Sequence, residues 1–365
     1  MRRIFYYLRQ MDWILIAAVT LLICFGLAEI YSVALGRGGA DLMNFKKQLL
    51  FIGIGYGLMF FLAFFDYHIL RSYSSFFFVS GLAVLVAVLF FGTVINGTKG
   101  WFYIFGFGIQ PVEFIKLILI IFLARYFSAA NMRGQAVKHL VLTGLGTLAF
   151  FSLIILQPDF GSGMLLFVLW LMIVIWAGLE KRYLLSLAAI VLVVFSLAWA
   201  FYFHDYQKQR ILTFVNPSFN ALDQGYNVAQ AIIAVGSGGL LGRGIGFGSQ
   251  SQLKFLPESQ TDFIFAVVSE ELGFFGVSLM LFFFAVFLAR CFINLKKVNN
   301  DFGVYFILGV ASLIFVEMFI NVGMNIGILP VIGIALPFVS YGGSSMIANL
   351  MMIGVVQSII IRSRI

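Results

Sequence analysis

Ten stretches of this chain are each apolar for about 20 residues, the length an α-helix needs to cross roughly 30 Å of hydrocarbon. They fall at approximately 13–35, 47–66, 74–95, 111–129, 139–157, 160–178, 183–203, 262–290, 303–327 and 339–361. Only the Pro158-Asp159-Phe160-Gly161 turn parts the fifth from the sixth, so nine is the alternative count. Such a chain has few ways to fold. In lipid every backbone N–H and C=O must be bonded within the protein, and only helices and closed barrels achieve that. Of the 365 residues, 62% are hydrophobic and 10% charged, with a mean hydropathy of +1.05, whereas a soluble domain carries about 25% charge. The expectation is an all-α integral membrane protein of about ten transmembrane helices, a single polytopic domain over residues 1–365.

Lysine and arginine set the orientation, because short cytoplasmic loops are enriched in them. With a cytoplasmic N-terminus, the inner segments hold Arg2, Arg3, Arg9, Arg71, Arg125, Arg133, Lys138, Lys181, Arg182, Arg290, Lys296, Lys297, Arg362 and Arg364. The short outer loops then hold only Arg37, Lys46, Lys47 and Lys99. Both termini are therefore expected in the cytoplasm. One large extracytoplasmic loop, about 204–261, lies between helices 7 and 8. The net charge of +8 fits this bias and contact with anionic membrane lipids. No basic run interleaved with aromatics points to nucleic acid. The apolar segment after Arg2, Arg3 and Arg9 has no small-residue cleavage site and reads as a retained first helix. Cys24 and Cys291 show no disulfide pattern, and His68, His139 and His204 lack metal-ligand spacing.

Within the long loop, Tyr226 to Val235 alternates at helical spacing, as a short interfacial helix would. The glycine-rich run Gly236–Gly248 lacks the βαβ context of a nucleotide site. It is expected to pack its backbone closely against the membrane or a lipid head group.

Ionisable groups inside a membrane are costly and point to function. Glu29 lies in the first span, and Glu113 and Lys116 share a face of the fourth, three residues apart. Pro111 suits the first helical position, which puts Lys116 roughly 7.5 Å deeper. Asp159 follows Pro158. Glu317, Asn321 and Asn325 form a stripe along the ninth span, where helix-to-helix adhesion is the favoured reading. The lysine and arginine rule places Glu113, Asp159, Asp262 and the turn Ser340–Ser345 at the outer ends of their helices. Polar groups from separate segments thus reach one leaflet, the pattern of a cavity opening outward beneath a loop carrying Arg210, Arg243 and Lys254. An amphiphile with an apolar tail and an anionic head suits such a cavity.

The stretches Gln110–Leu117 (QPVEFIKL), Leu156–Gly163 (LQPDFGSG), Ala234–Gly273 and Asn321–Ser345 resemble the SEDS family (shape, elongation, division and sporulation proteins), which includes RodA, FtsW and SpoVE. The wording GSQSQLKFLPE is closer to RodA. The resemblance implies a peptidoglycan glycosyltransferase of the bacterial cytoplasmic membrane. Such an enzyme polymerises lipid II, a disaccharide-pentapeptide on undecaprenyl diphosphate, in cell-wall elongation and the maintenance of cell shape. It implies a class B penicillin-binding transpeptidase as partner and matches Asp262 to the family's essential acid. Glu113, Lys116 and Asp159 match further family positions. Three positions depart: Lys99-Gly100-Trp101 replaces an arginine directly before tryptophan, Val112 replaces serine, and Gln260 replaces histidine.

The expected reaction is an inverting transfer in which an acceptor sugar hydroxyl attacks the anomeric carbon and the lipid diphosphate leaves. Asp262 is the candidate general base. Glu113, Lys116, Asp159, Lys47, Lys99, Arg210, Ser340, Ser344 and Ser345 are the candidate substrate-binding residues. Cationic stabilisation of the diphosphate is expected from Lys116, Lys47 or Arg210. A divalent ion, magnesium or manganese, on Asp159 or Glu113 is the other source. A lipid II flippase, with Glu317 or Glu29 in its pathway, and a non-catalytic scaffold for the penicillin-binding protein are the competing classes.

Overall fold

The computed structural model describes residues 2–36, 42–95, 97–104, 106–129, 136–201, 208, 212, 214, 224–253 and 255–364. The helices are α1 (Arg2–Gln10), α2 (Trp13–Gly36), α3 (Leu42–Phe64), α4 (Tyr67–Ser72), α5 (Ser74–Phe91), α6 (Pro111–Ala129) and α7 (Ala136–Ile155). They continue as α8 (Phe160–Trp176), α9 (Lys181–Phe201), α10 (Gln224–Ser237), α11 (Ser249–Gln252), α12 (Ile264–Leu295), α13 (Asp301–Asn325) and α14 (Gly343–Ser363). By length and composition, α2, α3, α5, α7, α9, α12, α13 and α14 can cross a membrane. The apolar α8 is shorter at 17 residues, and α6 carries Glu113, Lys116 and Arg125. These ten helices correspond to the ten apolar stretches, and the Pro158 turn does separate α7 from α8.

The bundle is built around α13 and α14, whose faces are mostly buried, whereas α9 lies open to lipid. Phe302, Phe306, Val310, Leu313 and Ile314 of α13 and Leu350, Ile353, Val356 and Ile359 of α14 belong to one continuous apolar core. Such helices are apolar on all sides and bury the faces nearest the axis of the bundle. At the end away from the site described below, Asp12 locks three of them together. Its carboxylate accepts from Arg290 Nε at 3.0 and 3.2 Å and from Asn294 Nδ2. Its own N–H donates to Gln357 Oε1 at 2.8 Å. α2, α12 and α14 are thereby joined.

Two features depart from the sequence expectation. The third span stops at Phe91, and the chain beyond it forms a small antiparallel meander of β1 (Thr93–Ile95), β2 (Thr98–Ile104) and β3 (Phe107–Ile109) in that order. Trp101 pairs with Thr93, and Phe102 with Ile109. A sheet this small is marginal alone; it is fastened by Lys99 N–H donating to Gln157 O at 3.2 Å.

The second departure concerns the glycine-rich run. Part of its backbone packs on α12, which is interrupted at Gly273 (φ 65°, ψ −164°), a conformation open to glycine. Backbone hydrogen bonds are exchanged at the break. Phe274 and Phe275 N–H donate to Gly239 O and Leu240 O at 2.9 and 3.2 Å. In return Arg243 and Gly244 N–H donate to Glu270 O and Glu271 O at 3.0 and 2.9 Å. α10 forms as expected, but it buries Ala231 and Ala234 together with Ala266 and Val267 of α12, so its inner face meets protein rather than the interface alone.

A Cβ on Gly242 would lie 2.2 Å from Glu271 O, in a residue at φ +78°, whereas one on Gly236 would meet nothing within 4 Å. Gly242→Ala is expected to destabilise the protein by about 1–3 kcal/mol or more, read as a lower thermal unfolding midpoint in detergent, and Gly236→Ala to leave the midpoint unchanged. Equal midpoints for the two variants would contradict the splice between loop and helix.

Candidate functional site

The N-termini of four helices converge on one cavity of about 290 Å³. α6 contributes Gln110, Glu113 and Lys116; α8 contributes Asp159, Phe160 and Ser162; the turn before α12 contributes Glu258, Thr261 and Asp262; and α14 contributes Gly342, Gly343, Ser344 and Ser345. Glu317 of α13 and the irregular segment 332–337 close it from the side, and Ile95, Thr98 and Trp101 of the sheet form a further wall. Each helix N-terminus carries a partial positive charge from its aligned peptide dipoles, so four such ends face the same space.

On the floor, the Lys116 ammonium donates to both Glu113 oxygens at 2.9 Å and to Glu317 Oε1 at 2.7 Å. Side chains of all three are at most 11% exposed. Two carboxylates around one ammonium leave a net negative charge, and a buried group of this kind holds only because every partner is present. Lys116 is therefore committed to neighbouring side chains. Glu317, which the sequence reading assigned to helix adhesion, belongs to this cluster.

Asp262 sits two residues before α12, whose N-cap position is Phe263. What stands out is the backbone on either side. Gln260 O accepts from Tyr341 N–H at 2.8 Å, and Thr261 O accepts from Ser340 Oγ at 2.6 Å. Asp262 O accepts from Asn321 Nδ2 at 2.9 Å and Asn325 Nδ2 at 3.0 Å. Asn325 Oδ1 in turn accepts from Ala266 N–H at 3.2 Å. Three consecutive carbonyls are thus pinned by α13 and by the residues entering α14. The Asp262 carboxylate projects toward the Gly333 backbone: a Cβ built there would stand 3.5 Å from Oδ2.

The remaining candidates divide. Asp159 lines the cavity and caps α8, its Oδ1 accepting from Ser162 N–H at 3.0 Å and its Oδ2 from Ser162 Oγ at 2.7 Å. Ser344 lines it while accepting from Gln110 N–H at 2.9 Å, and Ser345 lines it while donating to Gly342 O at 3.1 Å. Ser340 is turned away and binds backbone, with Leu336 N–H donating to its Oγ at 2.8 Å. Lys47 stands 6.0 Å from the Phe107 ring centroid rather than in the cavity. Lys99 does not line the cavity either, and its backbone fastens the sheet. Arg210 and Lys254 lie outside the described residues, and Arg243 donates to Ser249 Oγ at 2.7 Å. Among the described residues no group of three or more His, Cys, Asp or Glu side chains converges as metal ligands; the Asp159 oxygens already accept from Ser162.

Sequence reasoning missed Asn44 and Gln48 of α3. Asn44 Nδ2 donates to Gln260 Oε1 at 2.8 Å, and Gln48 Oε1 accepts from Gly342 N–H at 3.2 Å. The signal was present in polar side chains four apart on an apolar helix, the same signal that marked Asn321 and Asn325.

A family model described as "Cell cycle protein", covering FtsW, RodA and SpoVE, matches residues 12–365. Stage V sporulation protein E of Bacillus subtilis is 36% identical over 362 residues, covering 95% of this chain and 96% of that one. Peptidoglycan glycosyltransferase MrdB of Escherichia coli K12 is 34% identical over 88% of this chain and 86% of its own. The crystal structure of the rod shape determining protein RodA of Thermus thermophilus superposes with a TM-score of 0.71 at 27% identity, over 97% of both chains. A chain from a peptidoglycan synthase complex, described as coordinating polymerization and crosslinking, superposes with a TM-score of 0.81 at 28% identity, over 97% and 98%. The identities of 36% and 34% do not favour a RodA-like over a SpoVE-like branch.

The floor cluster is expected to tolerate whole removal better than partial removal. Lys116→Met should destabilise by about 3–5 kcal/mol, because it strands two buried carboxylates. Adding Glu113→Gln and Glu317→Gln should recover most of the lost thermal midpoint. A triple variant no more stable than Lys116→Met would contradict this account.

Proposed function

As this chain belongs to the FtsW, RodA and SpoVE family, we propose that it is a peptidoglycan glycosyltransferase polymerising lipid II into glycan strands, with the cavity as its active site. It is a multi-pass protein of the bacterial cytoplasmic membrane. The observation that carries the reading is the placement of Asp262: a carboxylate beside a polar cavity, on backbone pinned at three successive carbonyls. A general base must hold its position to within a fraction of an ångström, and so must its supporting shell. By the lysine and arginine rule this end of the bundle faces outward, where lipid-linked sugars are polymerised.

In this mechanism the acceptor sugar hydroxyl enters beside Asp262, which removes its proton as the oxygen attacks the donor's anomeric carbon. The glycosidic bond forms with inversion, the bond to the diphosphate breaks, and undecaprenyl diphosphate carries the electron pair away. The leaving group needs positive potential rather than an acid. Four helix N-termini supply it, among them α14, whose N-cap Gly342 has no side chain of its own to cap the helix. Lys116 does not serve the leaving group directly, since its donors are occupied by Glu113 and Glu317; it holds those two carboxylates on the cavity floor. Asp159 holds the start of α8 in place and Ser345 the start of α14; Ser344 is the cavity hydroxyl nearest Gln110. Asn321 and Asn325 are positioning residues for Asp262. A class B penicillin-binding transpeptidase is the proposed partner, crosslinking the strands made here.

With partner and lipid II in detergent, where sidedness is abolished, the wild type should form glycan strands. Asp262→Asn should lower the rate by about 10²- to 10⁴-fold. Asn321→Ala should lower kcat by a smaller factor with little change in KM. Strand synthesis at the wild-type rate by Asp262→Asn would remove the base assignment. Absence of strands from wild type alongside an active partner would sink the polymerase reading and leave the flippase or the scaffold.

A further inference from the structure

Glu29 has no part in that chemistry. It lies on α2, 0% exposed, and neither of its carboxyl oxygens has a hydrogen-bond partner. An ionised carboxylate without donors in an apolar interior is strongly disfavoured. Ser32, three residues further along α2 and so on a neighbouring position of its face, donates to Glu271 of α12 at 2.5 Å, which brings that carboxyl, also 0% exposed, beside Glu29.

Glu271 has donors on both carboxyl oxygens. Its Oε1 accepts from Ser251 Oγ at 3.3 Å and Gln252 Nε2 at 3.2 Å, and its Oε2 from Ser32 Oγ at 2.5 Å and Gly246 N–H at 3.0 Å. The adjacent Glu270 accepts from Ser249 Oγ, Gln250 N–H and Ser251 N–H at 3.2, 2.9 and 3.2 Å. Arg243 donates instead to Ser237 O and Ser249 Oγ. Among the described residues no Lys, Arg or His forms an ion pair with Glu29, Glu270 or Glu271. Gln250 Oε1 is a further buried acceptor without a donor. The place is therefore rich in acceptors and short of positive charge, and two facing carboxylates cannot both ionise there. One small cation completes it.

We propose that Glu29 and Glu271 form a buried binding site for one cation, filled by a proton that Glu29 carries and donates to Glu271. A proton suits the pair better than a metal ion, because one donated hydrogen bond satisfies the unpartnered acid without displacing the donors already on Glu271. The site joins α2 to the glycine-rich segment and α11, the stretch that leads into Asp262.

The test compares wild type with Glu29→Gln, whose amide can donate to Glu271 as the acid does, and with Glu29→Ala, which cannot. Infrared difference spectra of the purified protein, wild type against Glu29→Gln, should contain the carbonyl stretch of a protonated carboxylic acid, shifted in D2O. On unfolding, an exposed glutamate, which ionises near pH 4.3, releases the proton that the fold retains. The wild-type thermal midpoint should therefore fall relative to Glu29→Gln as pH rises from about 5 to 9. Glu29→Ala should unfold several degrees earlier than Glu29→Gln at every pH. Chelator-treated wild type titrated with sodium, magnesium or manganese at constant ionic strength should keep its midpoint. Absence of the acid band overturns the proposal, as does Glu29→Gln unfolding as early as Glu29→Ala. A midpoint raised by one metal ion in wild type but not in Glu29→Gln replaces the proton with that metal.

Discussion

Backbone that leaves a helix within a membrane must find its hydrogen bonds in other protein, and the candidate active site is assembled from segments that solve this problem for one another. The turn 260–262 gives its carbonyls to Tyr341, Ser340, Asn321 and Asn325. The segment before α14 receives Asn321 Nδ2 at Ile334 O and bonds Gly342 N–H to Gln48. None of these stretches satisfies itself. The placement of Asp262 thus follows from the same requirement that keeps the bundle soluble in lipid, and hydrogen-bonded support for its backbone comes with it.

Electrostatics adds a second layer. Glu113, Glu317, Asp159, Glu258 and Asp262 all border the cavity, with Lys116 as the cation among its described lining residues. Dipoles of four helix starts oppose that negative charge without adding a formal one. The proposed reaction uses both sides of this balance, a carboxylate for the acceptor hydroxyl and the helix dipoles for the departing diphosphate.

Much of this was legible in the sequence. Span lengths located the helices, because the hydrocarbon thickness leaves little freedom. The lysine and arginine count brought Glu113, Asp159, Asp262 and Ser344 to one end, and the fold gathers them. Other features were hidden for stated reasons. Glu317 and Lys116 are 201 residues apart in sequence, so their contact is a property of how α6 packs on α13. Ser340 stands in a motif rich in hydroxyls, yet which hydroxyl faces the cavity depends on the turn. The sheet 93–109 is too short for its alternation to stand out beside apolar helices, and the sequence could not show that Lys47 and Lys99 stand outside the cavity lining. Gly236–Gly248 announced close packing correctly, but composition could not name α12 as the surface.

The interruption of α12 also bears on the order of assembly. Once continuity is lost at Gly273, the N–H groups of Phe274 and Phe275 rely on carbonyls of residues 239 and 240. The segment supplying those carbonyls precedes α12 in the chain, so during synthesis it is already complete when the helix emerges. The dependence is mutual, because Arg243 and Gly244 N–H of that earlier segment are bonded only once Glu270 and Glu271 of α12 are present, so neither segment reaches its final form before the other.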